Sequence, residues 1–384
     1  MGSDDIASLS GRAIALHGQG RYAEALDCLH TLETHLKDNP ALWSNLGIVY
    51  RDSGDLARAE QYLRRVCAAR PADPAAHFNL ALALLRSGQL REGFREYEWR
   101  WQLPQFAEQR RHFTQSLWRG EPLEGRRLLI YSEQGAGDAI QFARYAPLLR
   151  AAGAHVIIEM LPHVERLTTW LDGQFEVVNA LTPGVEFDLQ CPLISLPQRF
   201  ATEVDSIPPP ARFSIPAPEQ ARWRERTARA GMAVGVVWAG NPRHANDRER
   251  SLPPQHLTRF TNQPGVQCWS LQVGPAAANL PAGITNLAEE LTDFAATAAA
   301  ILALDLVITV DTAVAHLAGS LGKPVWLLLA YASDWRWLLG REDTPWYPTM
   351  RIFRQQRPGD WDDVIDRVLS ANFPPASARH DPAR

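Results

Sequence analysis

A period of 34 residues runs through the first hundred positions of this 384-residue chain. Three sets of residues recur at that spacing: Gly20, Gly54 and Gly88; Ala25, Ala59 and Gly93; Leu29, Leu63 and Tyr97. A glycine, a small residue and a large residue at fixed offsets indicate a unit of two helices joined by a tight turn. Such a unit buries its apolar face only against its neighbours, so three copies predict a stack of about six helices.

The second copy carries the fullest pattern: Trp43, Leu46, Gly47, Tyr50, Gly54, Ala59, Leu63 and Pro71. It resembles a tetratricopeptide repeat (TPR). The first copy has Arg12 and Ala13 where Leu and Gly are expected, as a capping repeat does. The resemblance implies a right-handed solenoid over residues 1–102 with a concave face. Two roles stay open for it: docking a protein or peptide, or packing, including homodimerisation through the repeats.

Composition and charge narrow the class of protein. A hydrophobic content of 46% and 13 Trp are enough for large cores, while a net charge of -4 gives no basic field for nucleic acid. The start MGSDDIASLS has no signal pattern, and no run of 18 apolar residues occurs, so we expect a soluble cytoplasmic protein without a transmembrane segment. The four cysteines form no CxxC pair, which predicts reduced, packed thiols.

Beyond the repeats the pattern changes to alternating strands and helices. A further amphipathic helix is predicted at 92–102, a connection at 103–126, and a helix at 138–150 with a kink near Pro147. The predicted strands are 127–132, 155–160, 233–238, 266–272 and 306–310. The Pro-rich stretch 206–220 predicts a linker between two α/β halves, at 127–215 and 216–358. A terminal helix at 359–371 and a disordered tail at 372–384 complete the prediction.

The stretch TVDTAVAHLAGSLGKPVWLL, residues 309–328, predicts a βαβ unit with polar residues in its crevice. Asp311 follows a fully apolar strand, and the predicted helix 312–321 begins at Thr312. In open parallel sheets this crevice is where ligands bind, and the helix directs unpaired N–H groups towards it. His316 lies one turn later and is either a ligand or a satisfied core histidine.

Two more polar clusters follow predicted strands. SEQGAGD, residues 132–138, has two glycines that permit close approach of a ligand, and its Asp138 is either functional or a helix cap. WAGNPRHANDRERS, residues 238–251, is rich in donors, including Asn241, Arg248 and Arg250. Guanidinium groups there suit a diphosphate, although a solvated loop is the alternative for any single arginine.

Residues 127–368 resemble the heptosyltransferase-like GT-B glycosyltransferases, in the form fused to TPRs in bacteria. The resemblance rests on GAGDAIQFARYAPLL, WAGNPRHANDRERSLPPQHL, DLVITVDTAVAHLAGSLGKPVWLLL and DWRWLLGREDTPWYPTMRIFRQ. It implies a multidomain fold, with a TPR solenoid followed by two Rossmann-like doubly wound domains. The Asp of the family's front GD motif falls on Asp138, implied to be the general base. Arg250 stands where the family commonly has Lys.

The resemblance implies an inverting transfer from a nucleotide-diphosphate sugar to an acceptor hydroxyl. Implied donor-binding residues are Gly137, Asn241, Arg248, Arg250, Gln272, Asp311, Thr312, Ala313 and His316; acceptor-side residues are Gln134, Trp335 and Trp337. The rings of Trp335, Trp337, Trp346 and Tyr347 either stack on sugars or pack a core. No DxD follows a strand in the predicted cleft, so we expect no metal and no cofactor besides the sugar nucleotide.

Two other readings remain open. A sugar-nucleotide 2-epimerase shares the two-domain fold but requires paired acids that we do not find. A non-catalytic TPR scaffold with a nucleotide-sugar-binding domain is the alternative outside enzymes. Among enzymes the repeat-bearing O-GlcNAc transferase is the nearest architectural analogue, whereas the nucleotide, the sugar and the acceptor stay open.

Overall fold

A computed structural model describes residues 3–179, 184–228, 231–244, 246–371 and 373. The α-helices are α1 (Ser3–Gly18), α2 (Tyr22–Glu33), α3 (Pro40–Ser53), α4 (Leu56–Ala69), α5 (Pro74–Arg86), α6 (Leu90–Tyr97), α7 (Ala136–Phe142), α8 (Ala146–Ala151), α9 (Pro162–Thr168), α10 (Leu196–Arg199), α11 (Ala217–Thr227), α12 (Asp247–Arg250), α13 (Thr258–Thr261), α14 (Phe294–Leu302), α15 (Ala313–Ser320) and α16 (Trp361–Ser370). The predicted tail at 372–384 lies outside the described residues apart from Phe373.

All strands belong to two sheets. They are β1 (Ser116–Leu117), β2 (Arg127–Tyr131), β3 (His155–Glu159), β4 (Glu176–Val178), β5 (Leu189–Pro192), β6 (Met232–Val237), β7 (Val266–Ser270), β8 (Ile284–Asn286), β9 (Leu306–Val310), β10 (Val325–Leu329) and β11 (Met350–Arg354). Every strand pair inside the two sheets is parallel. The predicted fold class, a TPR solenoid followed by two Rossmann-like α/β domains, is confirmed.

The repeats form the six predicted helices, α1 to α6. Gly20, Gly54 and Gly88 lie at the turn inside each repeat with φ of 72°, 94° and 88°, which explains why glycine recurs there. The helix predicted at 92–102 is corrected. The second helix of the third repeat begins at Leu90, ends at Tyr97 and tightens into a 3-10 turn over Glu98–Gln102.

The first sheet has the strand order β1-β5-β2-β3-β4. Its edge strand β1 comes from the stretch predicted as a plain connection, because two residues there pair with β5. The predicted helix at 138–150 is divided into α7 and α8 by a 3-10 turn at Ala143–Tyr145, just before Pro147. Proline lacks the N–H that a continuous helix would need at that point.

The second sheet has the order β11-β10-β9-β6-β7-β8. Counted from its first strand in the chain, this is the doubly wound order 3-2-1-4-5-6. Neighbouring strands β6 and β9 lead to opposite halves of the sheet, so the crevice beyond their carboxyl ends is the switch point at which such folds bind ligands.

One hydrophobic core joins the last repeat to both sheets. It includes Phe94 from α6, Phe142 from α7 and Trp346 after the second sheet. The turn edge of the solenoid, which we define as the three glycine turns, faces this region: Gly20 faces Pro358, Gly54 faces Leu339 and Gly88 faces Val204. The predicted packing role of the repeats is therefore observed. Within the described residues, no helix combines the length and apolarity needed to cross a bilayer.

Candidate functional site

The two α/β domains meet where α7 packs against α15. A Cβ atom at Gly137 would lie 2.9 Å from Cδ2 of His316 and 3.5 Å from Cα of Ala313, so only a glycine allows this approach without a shift. Asp138 is the next residue along α7. It therefore lies between the domains, beside the first turn of α15.

The Asp138 carboxylate has partners on both oxygens. Oδ2 accepts a hydrogen bond of 2.9 Å from the Gly135 amide, which is the predicted capping contact. Oδ1 forms an ion pair with Nη2 of Arg336, a residue of the other domain. The same guanidinium donates from Nη1 to Asp334 Oδ1 at 2.8 Å and from Nε to Gln141 Oε1 at 3.0 Å.

Arg336 is buried and keeps its charge. Burial by itself lowers its pKa, but the carboxylates of Asp138 and Asp334 outweigh that cost and raise the pKa of Arg336 above its ordinary value. A permanent cation thus lies between the domains, directly beside the predicted general base.

Arg250 spans the switch point of the second sheet. It lies in α12, in the loop after β6, and its Nη1 donates to the Asp311 carbonyl after β9 at 3.2 Å. Its Nε donates to Asp247 Oδ1, also at 3.2 Å. Thr312 is the N-cap residue of α15, and its Oγ1 lies 3.0 Å from Oγ1 of Thr309. The crevice is therefore bounded by a guanidinium and by the first turn of a helix, groups that favour an anion.

Two titratable groups near Arg250 have shifted pKa values. Burial, and then the charge of Asp334, raise the pKa of Asp311 to about 6. Burial, and then the charge of Arg250, lower the pKa of His244. At pH 7 His244 is therefore neutral, and Asp311 loses its charge on mild acidification.

Asn241 and Arg248 are exposed on the loop after β6. Asn241 Oδ1 accepts from the Arg243 amide at 3.0 Å, which closes a tight turn. These two predicted donor residues lie on the same loop as Arg250, on its solvent side.

Four of the predicted site side chains are packed or bonded inside the fold, which corrects their predicted roles. His316 is buried with Nδ1 2.9 Å from the Tyr347 hydroxyl, and its ring stacks on Trp337. Trp335 and Trp337 are 4% and 0% exposed, so neither ring faces an acceptor. Gln272 is buried and its Oε1 accepts from the backbone amides of Trp238 and Ala239. Distant segments bury these residues, which short-range spacing does not reveal.

Sequence reasoning missed a buried ion pair behind the loop that carries Asp138. Glu133 Oε1 accepts from Arg100 Nη2 and from the Ile194 amide, both at 3.2 Å. Burial raises the pKa of Glu133 to about 7. Beside it, Gln134 donates to the Tyr97 hydroxyl at 3.3 Å. The last repeat therefore contacts this loop directly, through Arg100 and Tyr97. In the sequence, the one hint of a role for Glu133 was its position at the end of a predicted strand.

Comparison with known families agrees with both halves of this description. Residues 10–74 and 45–98 match a tetratricopeptide repeat model, and residues 272–360 match the model for glycosyltransferase family 9 (heptosyltransferase). The chain thus combines TPRs, a fold that suggests protein interaction, with a family 9 region that supports a nucleotide-sugar glycosyltransferase.

Individual relatives are more distant. Protein FlbA of Caulobacter vibrioides is 27% identical, over 96% of this chain and 73% of that protein. The E. coli ADP-heptose lps heptosyltransferase II is 14% identical with a TM-score of 0.47, over 64% of this chain and 98% of that one. A glycosyl transferase family 9 structure from Veillonella parvula is 11% identical with a TM-score of 0.45, over 68% and 94% of the two chains.

Proposed function

We propose that this chain is an inverting glycosyltransferase that uses a nucleotide-diphosphate sugar as donor and needs no metal. The observation that carries the proposal is the Arg250 bridge across the switch point, 3.2 Å from the Asp311 carbonyl and bordered by the first turn of α15. An anionic diphosphate fits such a crevice because a guanidinium offers paired donors and the helix start adds partial positive charge.

In this proposal the second α/β domain holds the donor. Arg250 neutralises the charge that develops on the departing diphosphate, with Arg248 as a second cation on the same loop. Asn241, Thr312 and Ala313 border the same crevice. Asp311 accepts from a sugar hydroxyl.

The first domain supplies the base. Asp138 takes the proton from the acceptor hydroxyl as the oxygen attacks the anomeric carbon, and a single displacement inverts the configuration there. Gln134 shapes the acceptor side of the site, and Gly137 lets α7 approach the donor side at Ala313. We propose that the acceptor is carried by a protein or peptide on the concave face of the repeats; the homodimer stays a prediction.

One observation favours the non-catalytic scaffold as a second candidate. Both oxygens of Asp138 are bonded, to the Gly135 amide and to Arg336, as they would be in a carboxylate whose role is to cap α7 and hold the two domains together. A scaffold would bind the nucleotide sugar without releasing the sugar.

A ligand screen tests the donor site. Thermal unfolding is followed with ADP, GDP, UDP and dTDP, each alone and as a sugar conjugate. We expect one nucleotide to raise the Tm, because a ligand at 100 times its Kd stabilises the fold by about 2.7 kcal/mol. Asp138→Ala should still show a shift with that nucleotide, since the donor is held by Arg250 and the first turn of α15. Failure of all four nucleotides would contradict the proposal.

A further inference from the structure

We propose that Arg336 is a two-position residue, which holds Asp138 when the donor site is empty and moves to the donor diphosphate when it is filled. The inference rests on the proposed function and deepens it. It gives the cation beside the proposed base a part in donor binding, and it leaves Asp138 Oδ1 open to the acceptor hydroxyl when a donor is present.

The geometry places Arg336 within reach of both partners. Its Nη2 pairs with Asp138 on α7, and the adjacent residue of α7, Gly137, abuts Ala313 at the start of α15. The Asp138 carboxylate and the first turn of α15 are therefore neighbours. Arg336 pairs with Asp138, and the next residue, Trp337, stacks on His316 of α15. The charges of Arg336 and Arg250 both act on the Asp311 carboxyl, which agrees with a shared site.

The backbone that carries Arg336 is held firmly, so the exchange needs only its side chain. Tyr331 donates from its hydroxyl to the Ser53 carbonyl at 2.8 Å and stacks on Tyr22, which ties this loop to the repeats. Leu338 has a φ of 47° and its carbonyl accepts from Arg354 Nη2 at 2.6 Å. A non-glycine residue at positive φ persists only where the surroundings enforce it.

The chemistry favours an exchange. In the structure three acceptors surround the Arg336 guanidinium: Asp138, Asp334 and Gln141. A diphosphate carries more charge than one carboxylate and accepts two parallel hydrogen bonds from an arginine. Arg336 can keep its Asp334 contact through Nη1 while Nη2 changes from Asp138 to a phosphate oxygen. Asp138 is then left with the Gly135 amide alone and has one free oxygen for the acceptor proton.

A double-mutant cycle on nucleotide affinity tests this exchange without any need for turnover. ADP, GDP, UDP and dTDP are each titrated by calorimetry into the wild type, Asp138→Asn, Arg336→Gln and the double variant. Asp138→Asn should tighten binding of the accepted nucleotide several-fold, because Arg336 is no longer held. Arg336→Gln should weaken it by about tenfold, the loss of one charge-assisted pair. In the Arg336→Gln background, Asp138→Asn should change affinity by less than about twofold.

Arg336→Lys covers the risk that loss of a buried charge unfolds the chain. Lysine keeps the charge without the planar fork, so we expect affinity between that of the wild type and Arg336→Gln.

Equal effects of Asp138→Asn in both backgrounds would overturn the inference, because they would reflect charge removal alone. If the wild type binds and turns over donor while the cycle shows no coupling, only the inference fails. If neither the wild type nor Asp138→Asn binds any nucleotide, the proposed function fails with it.

Discussion

Arg250 is the residue on which donor affinity should depend most, because bonds to Asp247 and to the Asp311 carbonyl fix it across the switch point. Arg250→Met should weaken binding of the accepted nucleotide diphosphate by roughly 10- to 100-fold, the value of a charge-assisted hydrogen bond. Isothermal titration measures the Kd. Arg259→Met is the matched control, since Arg259 pairs with Asp366 on α16. Similar losses in both variants would argue against a diphosphate at Arg250.

Glu133 should make stability depend on pH. Its pKa is raised to about 7 in the folded chain, from an ordinary value of 4.5, so the folded state holds a proton that the unfolded state has lost. The contribution of Glu133 to stability is therefore full below pH 4.5 and is lost as pH rises from 4.5 to 7, by about 1.4 kcal/mol per pH unit. Urea unfolding of the wild type and Glu133→Gln at pH 5 and pH 7.5 measures this. The variant should show a flatter slope; equal slopes would contradict the assignment.

For individual residues, the sequence predicts which polar side chains lie at strand ends, but it does not reveal which of them are exposed to a ligand. Asp138, Arg250 and Asp311 were found because parallel strands deliver their carboxyl ends to one edge. The sequence left the role of His316 open because its partner Tyr347 is 31 residues away, and it gave no sign of the pair between Asp138 and Arg336, which are 198 residues apart. Contacts between distant segments follow from packing that no local spacing encodes.

At the scale of elements, the contact between α7 and α15 fixes the distance between the two domains. Gly137→Ala would place a Cβ 2.9 Å from the His316 ring, and that ring is held by Tyr347 and Trp337. We expect a loss of about 1–3 kcal/mol in stability, as overpacking costs, together with weaker donor binding. Gly135→Ala is the control, because its Cβ would lie 3.4 Å from Asp138 Oδ2 and its φ is -77°. The Tm and the Kd for nucleotide are measured for both variants. Equal Tm values would contradict the close approach of α7 and α15 at Gly137.

The helices of the repeats and the central strands were predictable, because a 34-residue period and short apolar runs are local signals. The strand β1 was not, since two residues acquire strand geometry only by pairing with β5. The break between α7 and α8 was expected near Pro147 but falls at Ala143–Tyr145. Element boundaries of this kind depend on tertiary contacts rather than on propensity.

For the molecule as a whole, the core that the last repeat shares with both α/β domains implies that α6 unfolds together with them. Trp335 contributes to this core from the second domain, with its ring 5.5 Å from that of Phe94 in the last repeat. In hydrogen exchange under rising urea, peptides from α6 and from β9 should lose protection together. Trp335→Ala should cost about 3–5 kcal/mol and separate the two transitions. Earlier loss of protection in α6 of the wild type would show that the last repeat unfolds independently of the α/β domains.

The central claim is that Asp138 of one domain acts on a sugar whose diphosphate is held by Arg250 of the other. The most direct measurement is release of nucleoside diphosphate from ADP-, GDP-, UDP- and dTDP-sugars by the purified chain, compared with Asp138→Asn. We expect the wild type to release nucleoside diphosphate from one donor. Asp138→Asn should lose this release while calorimetry still finds the nucleotide bound. Equal release by both proteins would contradict the role of Asp138 as base, and absence of release from every donor would contradict the proposed transfer.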